Sequence, residues 1–228
     1  MESSRRRAAL ALALSVPVPS LGVLAATSWC PGQRGALLWS AAKLWFFAFP
    51  ALWFLIVERG RASFTRPARS SWLAGLALGL ALALAIALCW FTFARDWIEP
   101  ERLRALAKRN GIARPAAYLA LALYLALANS LLEEYAWRWF AVREFERLVP
   151  RGAARVCAAA SFTAHHALLL QAQLGTRAAL AGSLGVFAAG FAWSWLYQRT
   201  RSVWPVWLSH VLADLVLLGL GWSLIKGS

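Results

Sequence analysis

Seven stretches of this chain are apolar for close to the roughly 20 residues that a helix needs to cross a bilayer. They run approximately over 8–28, 36–57, 71–94, 116–142, 153–173, 178–197 and 203–225. Length and apolarity together predict an all-α, polytopic transmembrane helix bundle of about seven to eight spans. No polar stretch is long enough to form a second unit, so residues 1–228 are expected to be a single integral membrane domain.

Composition agrees. The chain is 61% hydrophobic and carries 14 tryptophans, and its 15% of charged residues lies well below the roughly 25% typical of soluble domains. The net charge of +14 raises the possibility of nucleic acid. Its distribution excludes that class, because the arginines sit in short segments between apolar runs and no aromatic–basic pattern accompanies them. Thirteen Lys/Arg residues, Arg61 and Arg66 among them, fall on one side of the alternating spans and nine on the other. That bias predicts a cytoplasmic N-terminus. An Ala/Arg/Leu/Trp-heavy composition fits a GC-rich bacterium, hence the cell (inner) membrane. Cys30, Cys89 and Cys157 are far apart and lack C-x-x-C spacing, so neither a disulfide framework nor a thiolate metal site is indicated.

Two segments need separate treatment. The first run follows Arg5, Arg6 and Arg7 and contains Pro17 and Pro19. With no small-x-small cleavage site ahead of a soluble domain, it is expected to be a retained helix bent at the prolines. In "RDWIEPERLRALAKRNGIARP", Pro100 is suited to a helix start and Asn110-Gly111 to a stop, with Leu103, Leu106 and Ala107 on one face. The segment near 99–110 therefore reads as an interfacial amphipathic helix lying on the bilayer.

The chemistry-bearing residues are few. "LLEEYAWRWF", positions 131–140, places Glu133, Glu134 and Arg138 in apolar surroundings, where each charge costs roughly 2.5–3.5 kcal/mol unless paired or used. Residues four apart share a helix face, so Glu134 and Arg138 are expected to pair. Glu133, stacked with Trp137, has no basic partner in its own helix. An unpaired carboxylate in such a place suits a general base. All three histidines, His165, His166 and His210, fall within predicted spans. Asp214 follows His210 at i+4, placed to orient its ring. Buried polar groups need partners, and these residues are one another's nearest candidates. A wet polar pocket inside the membrane is the expected result.

The order E-E-x-x-x-R (Glu133 to Arg138), F-x-x-x-H (Phe162 to His166), H-x-x-x-D/N (His210 to Asp214) resembles the CPBP family. These are the CAAX-processing and bacteriocin-processing intramembrane glutamic-type proteases, related to the type II CAAX prenyl endopeptidase. The likeness covers about 116–217. It implies that Glu133, helped by His166, activates the attacking water, and that Glu134 and Arg138 are the structural pair. His210 and Asp214 would stabilise the oxyanion, with Phe162 and His165 in supporting positions. Asp214 departs from the asparagine many members carry; an ionised carboxylate cannot donate to an oxyanion, so Asp214 orients His210 or is itself protonated.

Hydrolysis without a cofactor is the preferred expectation, since neither H-E-x-x-H nor another close ligand pair is present. The alternative is zinc held by Glu133, His166, His210 and Asp214. No serine or cysteine forms a recognisable triad with the histidines, which argues against covalent catalysis. The expected partners are membrane lipids and a membrane-associated peptide or protein substrate, with oligomeric state open. Two other classes compete: a proton-coupled transporter, for which inverted repeats are lacking, and a non-catalytic membrane scaffold.

Overall fold

The computed structural model describes residues 2–60 and 67–227, so Arg61 and Arg66 of the loop-charge bias lie outside the described residues. Among the described residues six helices are long and apolar enough, by length and composition, to cross a membrane: α1 (Glu2–Trp29), α2 (Gln33–Val57), α3 (Arg69–Thr92), α5 (Pro115–Leu148), α7 (Thr176–Thr200) and α8 (Val203–Lys226). Between them lie α4 (Pro100–Arg109) and α6 (Arg151–Leu174). Among the described residues no strand occurs. The all-α polytopic bundle is as expected.

Among the described residues seven long helices match the seven apolar runs, although only six are apolar enough to be span-grade by composition. Helix α6, which contains the fifth predicted run, has 24 residues, but it is not among the six span-grade helices. Arg151, Arg155, His165, His166, Gln171 and Gln173 make it too polar. It is held in the bundle through a face on which Ala154, Ala158, Phe162 and His165 are all buried. Helix α1 is bent at a turn over Val16 and Pro17, as the missing proline amide requires. Its buried Ala8, Ala11, Leu12 and Ser15 face the bundle.

Successive long helices alternate in direction, and polar contacts tie the shared ends together. At one end the Arg5 guanidinium donates to the Leu148 carbonyl at 3.1 Å. There Glu58 accepts from Arg143 at 2.8 Å and from Arg147, the buried Glu144 lies 2.8 Å from Arg147, and Glu146 lies 2.7 Å from Arg201. Part of the basic excess at this end therefore neutralises carboxylates. At the other end lies α4. Its predicted apolar face is turned inward, with Ala107 buried. Instead of merely resting on lipid, it crosses the ends of two helices. Arg102 donates to Ala172 of α6 at 2.7 Å and Arg104 to Leu224 of α8 at 3.0 Å. The last carbonyls of a helix lack partners within it and carry partial negative charge, so a guanidinium there supplies both a donor and a counter-charge.

Helix α8, which carries His210 and Asp214, is set against α3 by two glycines. A Cβ at Gly79 would lie 2.9 Å from the Ser209 Cα, and one at Gly75 would meet the Pro205 backbone. Such close approach is the small-residue packing that drives helix association where lipid offers no hydrophobic force. Gly79→Leu is expected to destabilise the bundle by about 1–3 kcal/mol through overpacking, seen as a lower thermal midpoint in detergent. Gly185→Leu, where an added Cβ meets nothing within 4 Å, should leave the midpoint unchanged.

Candidate active site

Glu133 and Glu134 occupy one regular helical turn of α5, Ser130–Glu134, flanked by π-helical stretches at Tyr124–Asn129 and Tyr135–Val142. Such widened turns re-aim side chains and recur at functional sites. Glu134 and Arg138 are both fully buried, with Oε2 and Nε 3.2 Å apart. The guanidinium makes no hydrogen bond among the described residues. It lies over the rings of Phe162 at 4.8 Å and Trp193 at 5.4 Å. One ion pair and two aromatic faces thus hold this cation.

The other oxygen of Glu134 reaches across to α8. His210 Nδ1 donates to Glu134 Oε1 at 2.8 Å, and its ring stacks on Trp193 at 4.1 Å. The i,i+4 argument named Asp214 as the group that orients this imidazole. Here Glu134 does so, and Asp214 Oδ1 lies 3.6 Å from the opposite nitrogen, Nε2. Glu133 Oε2 lies 4.0 Å from the same Nε2.

On α6, His166 Nδ1 donates to the Phe162 carbonyl at 2.9 Å, because a backbone oxygen can only accept. In the neutral ring this leaves the lone pair on Nε2. The Phe162 ring packs against His166 at 4.4 Å, so this residue supports both Arg138 and the histidine. His165 stacks on Trp137, the ring expected beside Glu133, with the planes 5° apart. One nitrogen each from His165 and His166 and one oxygen of Glu133 all lie within 4.8 Å of one another.

Glu133, His165, His166, His210 and Asp214 line one cavity of about 380 Å³. Its walls include Trp39, Phe46, Phe47 and Trp137, and it extends to Gln173 and Leu218. A mostly apolar pocket with a few convergent polar groups is the usual form of a ligand site.

The sequence reading missed three members of the site. Asn129 Nδ2 donates to Glu133 Oε1 at 2.8 Å, and Lys43 Nζ donates to Asn129 Oδ1 at 2.7 Å. Trp193 supplies the plate under His210. Lys43 did carry a signal, as a lone cation inside the second apolar run. Asn129 and Trp193 gave none that distinguishes them from ordinary bundle residues.

Residues 115–216 match the family model described as Type II CAAX prenyl endopeptidase Rce1-like. This segment is Rce1-like. The likeness read from the three motifs therefore holds over α5, α6, α7 and the first part of α8. A general CAAX-type membrane protease is what that family supports. No curated protein and no solved structure matches the chain. Helices α1 to α4, and Lys43 with them, lie outside the Rce1-like segment.

Proposed function

We propose that this integral membrane protein is an endopeptidase of the CPBP type. In this reading it hydrolyses a peptide bond of a membrane-associated peptide or protein tail, in a bacterial inner membrane with the N-terminus cytoplasmic. The observation that carries the reading is convergence: Glu133, His166 and His210, from three helices, face one polar-floored cavity.

In the proposed reaction a water lies between Glu133 and His166. Glu133 takes its proton as the oxygen attacks the scissile carbonyl carbon. The resulting tetrahedral oxyanion is met by His210 Nε2. With Nδ1–H committed to Glu134, an Nε2–H is available only in the imidazolium form. Charge balance accommodates that form, since among the described residues Glu133, Glu134 and Asp214 have Arg138 and Lys43 as their nearby fixed cations. Asp214 then serves as counter-charge to His210 and does not itself donate to the oxyanion. The proton held by Glu133 passes to the leaving amine as the C–N bond breaks. Preorganised donors of this kind contribute about 3–4 kcal/mol of transition-state stabilisation.

A metal-dependent version is the second reading, favoured by the approach of one nitrogen each of His165 and His166 to one oxygen of Glu133, all within 4.8 Å. Those three residues would hold the ion, in place of the set of four expected from sequence, because it is their ligand atoms that lie within 4.8 Å of one another. A bound zinc would polarise the scissile carbonyl or lower the pKa of its water. The test uses purified protein in proteoliposomes with a farnesylated and an unprenylated internally quenched CAAX peptide. Cleavage is expected to survive a chelator that strips zinc. Loss of cleavage on chelation, restored by zinc, would establish the metal reading, and equal background for wild type and Glu133→Gln would leave the scaffold reading.

A further inference from the structure

We infer that Lys43, on a helix outside the Rce1-like segment, is a positioning residue that holds the Glu133 carboxylate through the Asn129 amide. The catalytic consequence rests on the protease reading above; the positioning itself does not.

Polarity along the chain of contacts carries the inference. The Asn129 amide has one accepting end and one donating end, and the two cannot be exchanged here. Its Oδ1 accepts from Lys43 Nζ at 2.7 Å and its Nδ2 donates to Glu133 Oε1 at 2.8 Å. Reversing the amide would aim N–H at an ammonium and C=O at a carboxylate, both repulsive. The lysine charge therefore fixes which face Asn129 presents to Glu133. One carboxylate oxygen is held in this way, which leaves Oε2 as the oxygen nearer His210, at 4.0 Å from its Nε2.

Lys43 is itself placed for this task. Its ammonium lies 5.6 Å from the Trp39 ring centre and 5.9 Å from that of Phe47, so two neighbours one turn away on α2 stabilise the cation. Asn129 is 7% exposed and ends the π-helical stretch of α5, one turn before Glu133. A cation deep in a span is costly without such partners. A second helix thereby contributes to the geometry of a carboxylate whose motif lies wholly within α5.

The first test is spectroscopic and needs no substrate. Infrared carboxylate bands belonging to Glu133 are identified as those lost in Glu133→Gln. Lys43→Met should shift these bands, Lys43→Arg should leave them near wild type, and Asn129→Leu, which cuts the relay without touching the lysine, should shift them as Lys43→Met does. Unshifted bands in a folded Lys43→Met or Asn129→Leu protein overturn the inference. The second test is kinetic, with the farnesylated quenched peptide in proteoliposomes. Lys43→Met is expected to lower kcat by about tenfold or more with KM within about twofold, the pattern of an interaction that acts on the chemical step. Lys43→Arg should restore most of the rate, and Lys43→Met should add little in an Asn129→Leu background. A rise in KM with kcat kept would make Lys43 a substrate contact and overturn positioning. Shifted bands in the variants, with wild type itself cleaving no faster than Glu133→Gln, would refute the protease reading and leave the relay standing.

Discussion

Glutamine at position 133 is expected to slow peptide cleavage by about 10³-fold, within the 10²–10⁴ attributed to a positioned general base, without unfolding the bundle. The substitution keeps the side chain's shape and its carbonyl oxygen, so the hydrogen bond from Asn129 survives. It removes the charge and the basic oxygen that would take a proton from water. The Glu133 side chain is 12% exposed on a cavity wall and makes no direct ion pair with a lysine or arginine among the described residues, so stability should change by little. Initial rates in proteoliposomes, with products identified by mass spectrometry, measure the effect. His166→Ala should produce a similar loss, and the double variant should be hardly worse than either, because groups acting on one water do not contribute additively. A Glu133→Gln protein that keeps more than a tenth of the wild-type rate would remove Glu133 from the chemistry.

The parts of the site legible in the sequence were those written within one helix. Glu134 and Arg138 could be paired from their i,i+4 spacing, and the pair is there. His210 shows the limit of that method. Its own helix offers Asp214 as an orienting group, but the closer partner is Glu134, 76 positions away in sequence. Tertiary packing decides this, and no periodicity reports it. The F-x-x-x-H spacing singled out His166, whereas the contact of His165 with the same cavity depends on stacking against Trp137 of another helix. Lys43 was the avoidable omission, since a lone cation amid apolar residues poses the same question as Glu133.

The fold divides along similar lines. Bilayer-length apolar runs predicted the long helices, and proline chemistry predicted the bend in α1. The face of α4 was readable from Leu103, Leu106 and Ala107, but its role was not. Only the folded chain brings the carbonyls of Ala172 and Leu224 to Arg102 and Arg104. The π-helical stretches around Glu133 leave no trace in composition. They flank the regular turn that carries Glu133 and include Asn129 and Arg138.

Arg138→Met should destabilise the protein by about 3–5 kcal/mol, the usual cost of removing one partner from a buried ion pair. Both Arg138 and Glu134 are completely shielded from solvent, so losing the guanidinium strands a carboxylate whose remaining partner is His210. The effect is asymmetric in a way that identifies its cause. Adding Glu134→Gln to Arg138→Met should recover part of the lost stability, because the neutral amide needs no counter-ion and its oxygen can still accept from His210 Nδ1. Unfolding in a single detergent, followed by tryptophan fluorescence, gives the comparison. A double variant no more stable than Arg138→Met would mean that the arginine contributes mainly by filling space over Phe162 and Trp193. Recovery of stability without recovery of cleavage would separate two duties of Glu134. It offsets a buried cation, a task that disappears with the cation, and it aims His210 at the cavity, which an amide of uncertain rotamer does less well.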